Sequence, residues 1–132
     1  MKAKSNISPS TAVFEKVNGT LRVRLCENIV ERERLGETIY EYDEYVFVLK
    51  DREGLREDIE SNLERWLATA EARERKNLAN TVRLRRNELL AASDWTQFAD
   101  SPLDEEEKAS WRAYRQYLRD ITKDESFPYV VL

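Results

Sequence analysis

The sequence predicts an α+β protein, in which an N-terminal antiparallel β meander is followed by a long helical region and a C-terminal helix–loop–helix. Alternating apolar and polar residues flank the pair Asn18-Gly19, which is typical of a β hairpin. Residues 55–92 contain neither Gly nor Pro and carry apolar residues at helical spacing. Four consecutive acidic residues, 104–107, then precede a second apolar stripe, as expected at the start of a helix.

Residues 1–11 are polar and contain a proline, which predicts a flexible arm, and the meander is predicted over residues 12–50. Asn18-Gly19 forms the first turn because both residues tolerate a positive φ. A two-residue turn fixes the register and separates an apolar face from a charged one. The expected cross-strand pairs are Ala12 with Leu25, Phe14 with Val23, Lys16 with Leu21 and Glu15 with Arg22.

A second turn is predicted at Leu35-Gly36, followed by a strand rich in β-branched and aromatic residues. Within that strand, Tyr45–Leu49 is apolar at most positions, so we expect it to be the best-buried strand, with a helix covering one face of the sheet. Tyr40 and Tyr42 lie on the same side of the strand, and an exposed aromatic strip at this place would suit a protein partner.

Residues 51–132 are predicted to be mainly helical. The first apolar stripe consists of Leu55, Ile59, Leu63, Trp66, Leu67 and Ala70. Residues 71–77 are nearly all polar, so residues 55–92 form either one long helix or two helices with a joint near residues 73–77. A single long helix would need a partner to cover its far half, which makes a homo-oligomer possible.

The last helix is predicted to begin after Asp104, which can form a capping box with Glu107. Its inward stripe consists of Trp111, Tyr114, Leu118 and Ile121. Its polar side is expected to carry Arg112, Arg115 and Arg119. The loop before this helix contains three apolar residues that can fill the corner of the helical hairpin, Trp95, Phe98 and Leu103.

The C-terminal third carries a distinctive set of residues at fixed spacing. They read Arg86-x-x-Leu89-Leu90-x-x-Ser93-Asp94-Trp95-Thr96, then Asp100-x-Pro102-Leu103, then Trp111-x-x-Tyr114-Arg115-Gln116-x-Leu118-Arg119-Asp120-Ile121. This pattern, over roughly residues 80–125, resembles the module of the phage tail assembly chaperone family. The resemblance implies a role in tail or tail-fibre assembly, a phage tail structural protein as partner, and neither catalytic residues nor a cofactor.

Composition disfavours several other classes of protein. The chain has no His and a single cysteine, Cys26, which we expect to be a small buried residue, so no metal site and no nucleophilic centre is predicted. The net charge of −4 disfavours general nucleic-acid binding. No apolar segment is long enough to span a bilayer. The family resemblance implies a location in the cytoplasm of the bacterial host, with the virion as an alternative.

The function predicted from the sequence is a non-enzymatic assembly chaperone that binds and shields a tail structural protein. The alternative is a structural tail or baseplate component that is retained in the virion. For Trp95 we favour packing within the hairpin over client contact. Packing between helices also explains the spacing of Trp111, Tyr114 and Leu118. The candidate protein-binding residues are Tyr40, Tyr42, Trp95, Trp111, Tyr114 and Leu118.

Overall fold

A computed structural model describes residues 1–132 and confirms the predicted α+β class, with a four-stranded antiparallel sheet followed by helices. The strands are β1 (Lys2–Ser5), β2 (Ala12–Val17), β3 (Thr20–Arg34) and β4 (Glu37–Lys50), in the spatial order β1-β4-β3-β2. The helices are α1 (Leu55–Ser61), α2 (Leu63–Ala92) and α3 (Glu105–Asp120), with short 3₁₀ helices at Asp94–Gln97 and Ile121–Lys123.

The chain divides into two compact units, an N-terminal unit of residues Met1–Glu74 and a C-terminal unit of residues Arg75–Leu132. The boundary therefore falls within α2, whereas the sequence suggested a division between residues 50 and 51. The N-terminal unit contains the whole sheet, α1 and the first turns of α2. None of the helices is both long enough and apolar enough to cross a membrane.

The prediction of a flexible arm over residues 1–11 is wrong for Lys2–Ser5, which form strand β1 along one edge of β4. This strand was missed because its side chains are mostly polar. It is held by the backbone ladder and by ion pairs to its neighbour. The ammonium of Lys2 lies 2.7 Å from the carboxylate of Asp43, and that of Lys4 lies 2.8 Å from the carboxylate of Glu41.

The first hairpin has the predicted register, with Ala12 opposite Leu25, Phe14 opposite Val23, Glu15 opposite Arg22 and Lys16 opposite Leu21. Its two turn residues have positive φ, 46° at Asn18 and 76° at Gly19, as a type I′ turn requires. The second predicted turn is confirmed in the same conformation, with φ of 53° at Leu35 and 80° at Gly36.

The core of the N-terminal unit lies on one face of the sheet. Its buried members are Leu21, Val23, Leu25, Leu55 and Ile59, so α1 supplies the helix that was expected to cover the sheet. The expectation that Tyr45–Leu49 is the best-buried strand is wrong, and β3 is buried more deeply. Val46 and Val48 point to the opposite face of the sheet from this core and remain 46% and 56% exposed.

Residues 55–92 form two helices, but the break between them is not at residues 73–77, where the sequence suggested a joint. The interruption lies at Asn62, with φ −128° and ψ 42°, and α2 is continuous through residues 73–77. The side-chain amide of Asn62 donates to the backbone carbonyl of Asp58 at 3.0 Å and to the carboxylate of Asp58 at 2.9 Å. These bonds stabilise the end of α1. One turn later, the ring of Trp66 stacks on Phe47 with centroids 6.2 Å apart, so the start of α2 also packs against the sheet.

Cys26 is buried, as the sequence predicted. Burial raises the pKa of its thiol, and the nearby Glu44 raises it further, against an opposing effect of Arg24. A buried thiol with a raised pKa is a poor nucleophile, because the thiolate is the reactive form. Cys26 therefore behaves as a packing residue.

A candidate protein-binding surface on the C-terminal unit

The C-terminal unit is organised around a buried arginine, Arg115 of α3. The residue is only 6% exposed, and its side chain donates to three acceptors at the end of α2 and in the following turn. Nη1 lies 2.6 Å from the carbonyl oxygen of Leu90 and 2.6 Å from Oγ of Ser93. Nη2 lies 2.6 Å from the carboxylate of Asp94. The flat guanidinium, with donors fixed in a fork, can satisfy all three at once.

This network corrects the prediction that Arg115 lies on the polar side of the helix with Arg112 and Arg119. Those two arginines are exposed, whereas Arg115 is buried. The sequence did contain a signal for this placement. Arg115 follows Trp111 by four residues, which puts it on the inward stripe of the same helix. An arginine can be buried at such a position only when its N–H groups have hydrogen-bond acceptors. Here the acceptors lie more than twenty residues earlier in the chain, on Leu90, Ser93 and Asp94.

The turn after α2 is built from two buried hydroxyl residues. Ser93 donates from Oγ to the carbonyl of Leu89 at 2.8 Å and accepts from Arg115. Thr96, which is fully buried, donates to the carbonyl of Ser93 at 2.7 Å. Each of these two carbonyls also accepts a backbone N–H, from Ser93 and from Thr96 respectively, so the hydroxyls add a second hydrogen bond to each. The turn is therefore fixed by polar contacts and does not need a large apolar side chain inside it.

Two aromatic residues of this loop consequently face solvent. Trp95 is 45% exposed and Phe98 is 56% exposed, whereas Leu103 is half-buried. The prediction that Trp95 and Phe98 fill the corner of the hairpin is therefore wrong, because Thr96 occupies the interior position. Exposed tryptophan and phenylalanine side chains are a common feature of protein-binding surfaces.

A groove lies beside this loop at the start of α3. It is shallow and open to solvent, with a volume of about 610 Å³. Its lining residues all belong to the first turns of α3 or its N-cap, and they are Asp104, Glu106, Glu107, Ser110, Trp111 and Tyr114. The rings of Trp111 and Tyr114 meet edge to face, with centroids 5.9 Å apart and planes inclined at 71°. Both side chains are half-buried, so each presents part of its ring to the groove.

The predicted capping box fixes the acidic end of the groove. Oδ1 of Asp104 accepts from the backbone N–H of Glu107 at 2.8 Å, and Oε2 of Glu107 accepts from the backbone N–H of Asp104 at 3.0 Å. Three carboxylates line the groove, and no basic side chain does. The nearby Lys108 instead lies 3.8 Å from Glu105, which is outside the lining. The groove is therefore negatively charged with an aromatic wall.

The six candidate binding residues lie in different environments. Trp111 and Tyr114 are brought together in the groove, and Trp95 is exposed on the loop before it. Leu118 is fully buried in the core of the C-terminal unit, so it supports the surface without forming part of it. In the other unit Tyr42 is only 8% exposed and Tyr40 is half-buried, so the expected exposed tyrosine strip is absent. No group of three or more Cys, Asp or Glu side chains is arranged to hold a metal ion.

Comparison with known families identifies the C-terminal segment. Residues 79–132 match the phage tail assembly chaperone protein family, which confirms the resemblance expected from the sequence over this part of the chain. The match covers nearly the whole C-terminal unit and none of the sheet. No curated protein and no solved structure shows a significant match to the chain.

Proposed function

We propose that the protein is a non-enzymatic assembly chaperone of a phage or prophage tail, which binds and shields a tail structural protein in the host cytoplasm before assembly. One observation carries this proposal. The segment that matches the tail assembly chaperone family, residues 79–132, is also the segment that presents exposed aromatic residues and an aromatic groove. A chaperone needs such a surface, because its unassembled client exposes apolar area that would aggregate if the chaperone did not cover it.

The binding surface we propose consists of Trp95, Phe98, Trp111 and Tyr114. These residues lie on the 3₁₀ turn, the loop and α3, which the Arg115 network holds together. A preorganised surface loses less conformational entropy on binding than a flexible one. The loop network therefore supports function by fixing the aromatic side chains before the client arrives.

Co-expression with the tail proteins encoded beside this gene tests the proposal. We expect the wild-type protein to raise the soluble fraction of at least one of them and to co-purify with it. Solubilising none of the neighbouring tail proteins would refute a chaperone role. Mass spectrometry of purified virions separates the chaperone from the structural alternative, since a protein present in the particle at the level of the tail components is a building block.

The structure offers a matched control for the proposed surface. Trp95→Ser with Phe98→Ser removes two residues that are 45% and 56% exposed in the C-terminal unit. Val46→Ser with Val48→Ser removes two residues that are 46% and 56% exposed on the sheet. We expect the first pair to reduce client solubilisation and the second to leave it unchanged. The opposite result would transfer the binding surface to the sheet.

A further inference from the structure

We infer that the groove at the start of α3 selects a basic amphipathic segment of its client, with a Lys or Arg side chain between the carboxylates and the aromatic wall. This inference rests on the proposed function and adds the chemical class of the ligand. The groove is lined by three carboxylates and two aromatic rings. We therefore expect the client segment to carry positive charge beside apolar side chains.

The charge of the lining supports a cationic ligand. Each capping bond uses one oxygen of its carboxylate, Oδ1 of Asp104 and Oε2 of Glu107, so the second oxygen of each is left to accept from a ligand. Glu106 takes no part in the capping box and is exposed. A helix start ordinarily attracts anions, but here four carboxylates, those of residues 104–107, already lie at it and would repel another negative group. A cation therefore gains most from entering.

The aromatic wall supports the same ligand. The faces of tryptophan and tyrosine rings attract a cation through their negative electron density, and Trp is the strongest of the side chains in this respect. The aliphatic stem of a Lys or Arg also packs well on an aromatic ring. Acidic residues beside Trp111 and Tyr114 thus suit a long basic side chain, and the apolar neighbours of that side chain can contact Trp95 or Phe98 on the exposed loop.

Three synthetic helical peptides test the selection directly. They share one length and one pattern of Leu residues, and their polar positions are all Lys, all Gln or all Glu. We expect the Lys peptide to bind the full-length protein about tenfold more tightly than the Gln peptide, with the Glu peptide weakest. Added salt should narrow the difference, because it screens exposed charges. Equal binding of all three peptides, or binding of none, would overturn the inference.

Two neighbouring glutamates provide the matched variants. Glu106→Gln removes a carboxylate that lines the groove, whereas Glu105→Gln removes one that does not. Neither residue belongs to the capping box, so α3 should form in both variants, which circular dichroism checks. We expect Glu106→Gln to weaken binding of the Lys peptide about three- to fivefold and Glu105→Gln to leave it unchanged. Equal losses in the two variants would show a general charge effect and would refute the groove as the site.

The co-expression assay distinguishes this inference from the proposed function. If the wild type and Glu106→Gln solubilise the same tail protein equally well, the chaperone role stands and the inference fails. If the wild type solubilises no tail protein, the chaperone role fails whatever the peptides show. Sedimentation tests another occupant of the groove. A wild-type oligomer that Glu106→Gln converts to a monomer would mean that a second copy of the chain fills it, which would overturn selection of a client.

Discussion

The two units of this protein are stabilised in different ways. The N-terminal unit has an apolar core, in which Leu21, Val23 and Leu25 of β3 pack against Leu55 and Ile59 of α1. The C-terminal unit has a smaller apolar core around Leu118 and Ile121, and beside it a buried polar network in which Arg115 joins α3 to the end of α2. An apolar core is tolerant of changes in detail, whereas a polar network requires each member.

This difference agrees with where the family match lies. The match covers residues 79–132, the unit whose loop is fixed by directional hydrogen bonds. Such bonds hold exposed aromatic residues in a defined geometry without placing large apolar groups inside the loop. The apolar unit provides stability by burial, and the polar unit provides a defined surface. The comparison can be tested by perturbing one unit at a time.

The largest expected effect is in the apolar core. Ile59→Ala removes a side chain that is fully buried between α1 and the sheet, and we expect it to lower the free energy of unfolding by about 4 kcal/mol. Val48→Ala, at a residue that is 56% exposed, is the control and should cost less than about 0.5 kcal/mol. Urea denaturation followed by circular dichroism gives both values. A small effect of Ile59→Ala would mean that the sheet does not depend on α1.

The next effect tests the polar network. Arg115→Leu removes the hydrogen bonds that the guanidinium donates to the carbonyl of Leu90, the hydroxyl of Ser93 and the carboxylate of Asp94. We expect a loss of about 2–3 kcal/mol in the free energy of unfolding despite the added apolar volume. Arg112→Leu, at an exposed position of the same helix, should change stability by less than about 0.5 kcal/mol. Hydrogen exchange should quicken at residues 90–97 in the first variant alone. If Arg115→Leu were neutral, the distinction between the two units would fail.

The same distinction explains what the sequence revealed. The register of the first hairpin was predicted because Asn18-Gly19 and the alternation of side chains are local signals. The capping box of α3 was predicted for the same reason. Strand β1 was not, because Lys2 and Lys4 are held by ion pairs to a strand about forty residues away. Local patterns encode the elements, and contacts between distant polar groups are not visible in them.

The candidate surface shows the same limit. The groove residues Trp111 and Tyr114 were identified by their helical spacing, and the structure places them together. The exposure of Trp95 was mispredicted because the interior position is taken by Thr96, a smaller residue whose hydroxyl satisfies the carbonyl of Ser93. Periodicity predicts which residues share a face. It does not predict which of two adjacent residues in a loop is turned inward.

A smaller effect concerns a polar cluster in the N-terminal unit. Asp43 accepts from Lys2 at 2.8 Å and from Asn28 at 2.9 Å, which ties β1 to the irregular part of β3. Burial alone would raise the pKa of Asp43, but the hydrogen bonds from Lys2 and Asn28 outweigh it and lower the pKa. We expect Asp43→Asn to cost about 1 kcal/mol at neutral pH.

The pH dependence of that cost follows from the direction of the shift. Because the folded-state pKa of Asp43 lies below its ordinary value of 3.8, the stabilisation is complete above that value and is lost as the pH falls through the folded-state pKa. The difference in stability between the wild type and Asp43→Asn should therefore shrink on acidification from about pH 6 to about pH 2.5. A difference that stays constant over this range would mean that the charge of Asp43 does not stabilise the unit.

The smallest effect compares two turns within the N-terminal unit. Asn18-Gly19 and Leu35-Gly36 have the same backbone conformation, but asparagine tolerates a positive φ far better than leucine does. Leu35 is also 98% exposed, so no packing offsets its strain. We expect Leu35→Asn to raise the free energy of unfolding by about 0.5 kcal/mol and Asn18→Leu to lower it by about the same amount. Thermal denaturation of the two variants checks the opposite signs. A loss of stability in Leu35→Asn would mean that strain at this turn does not limit the stability of the N-terminal unit.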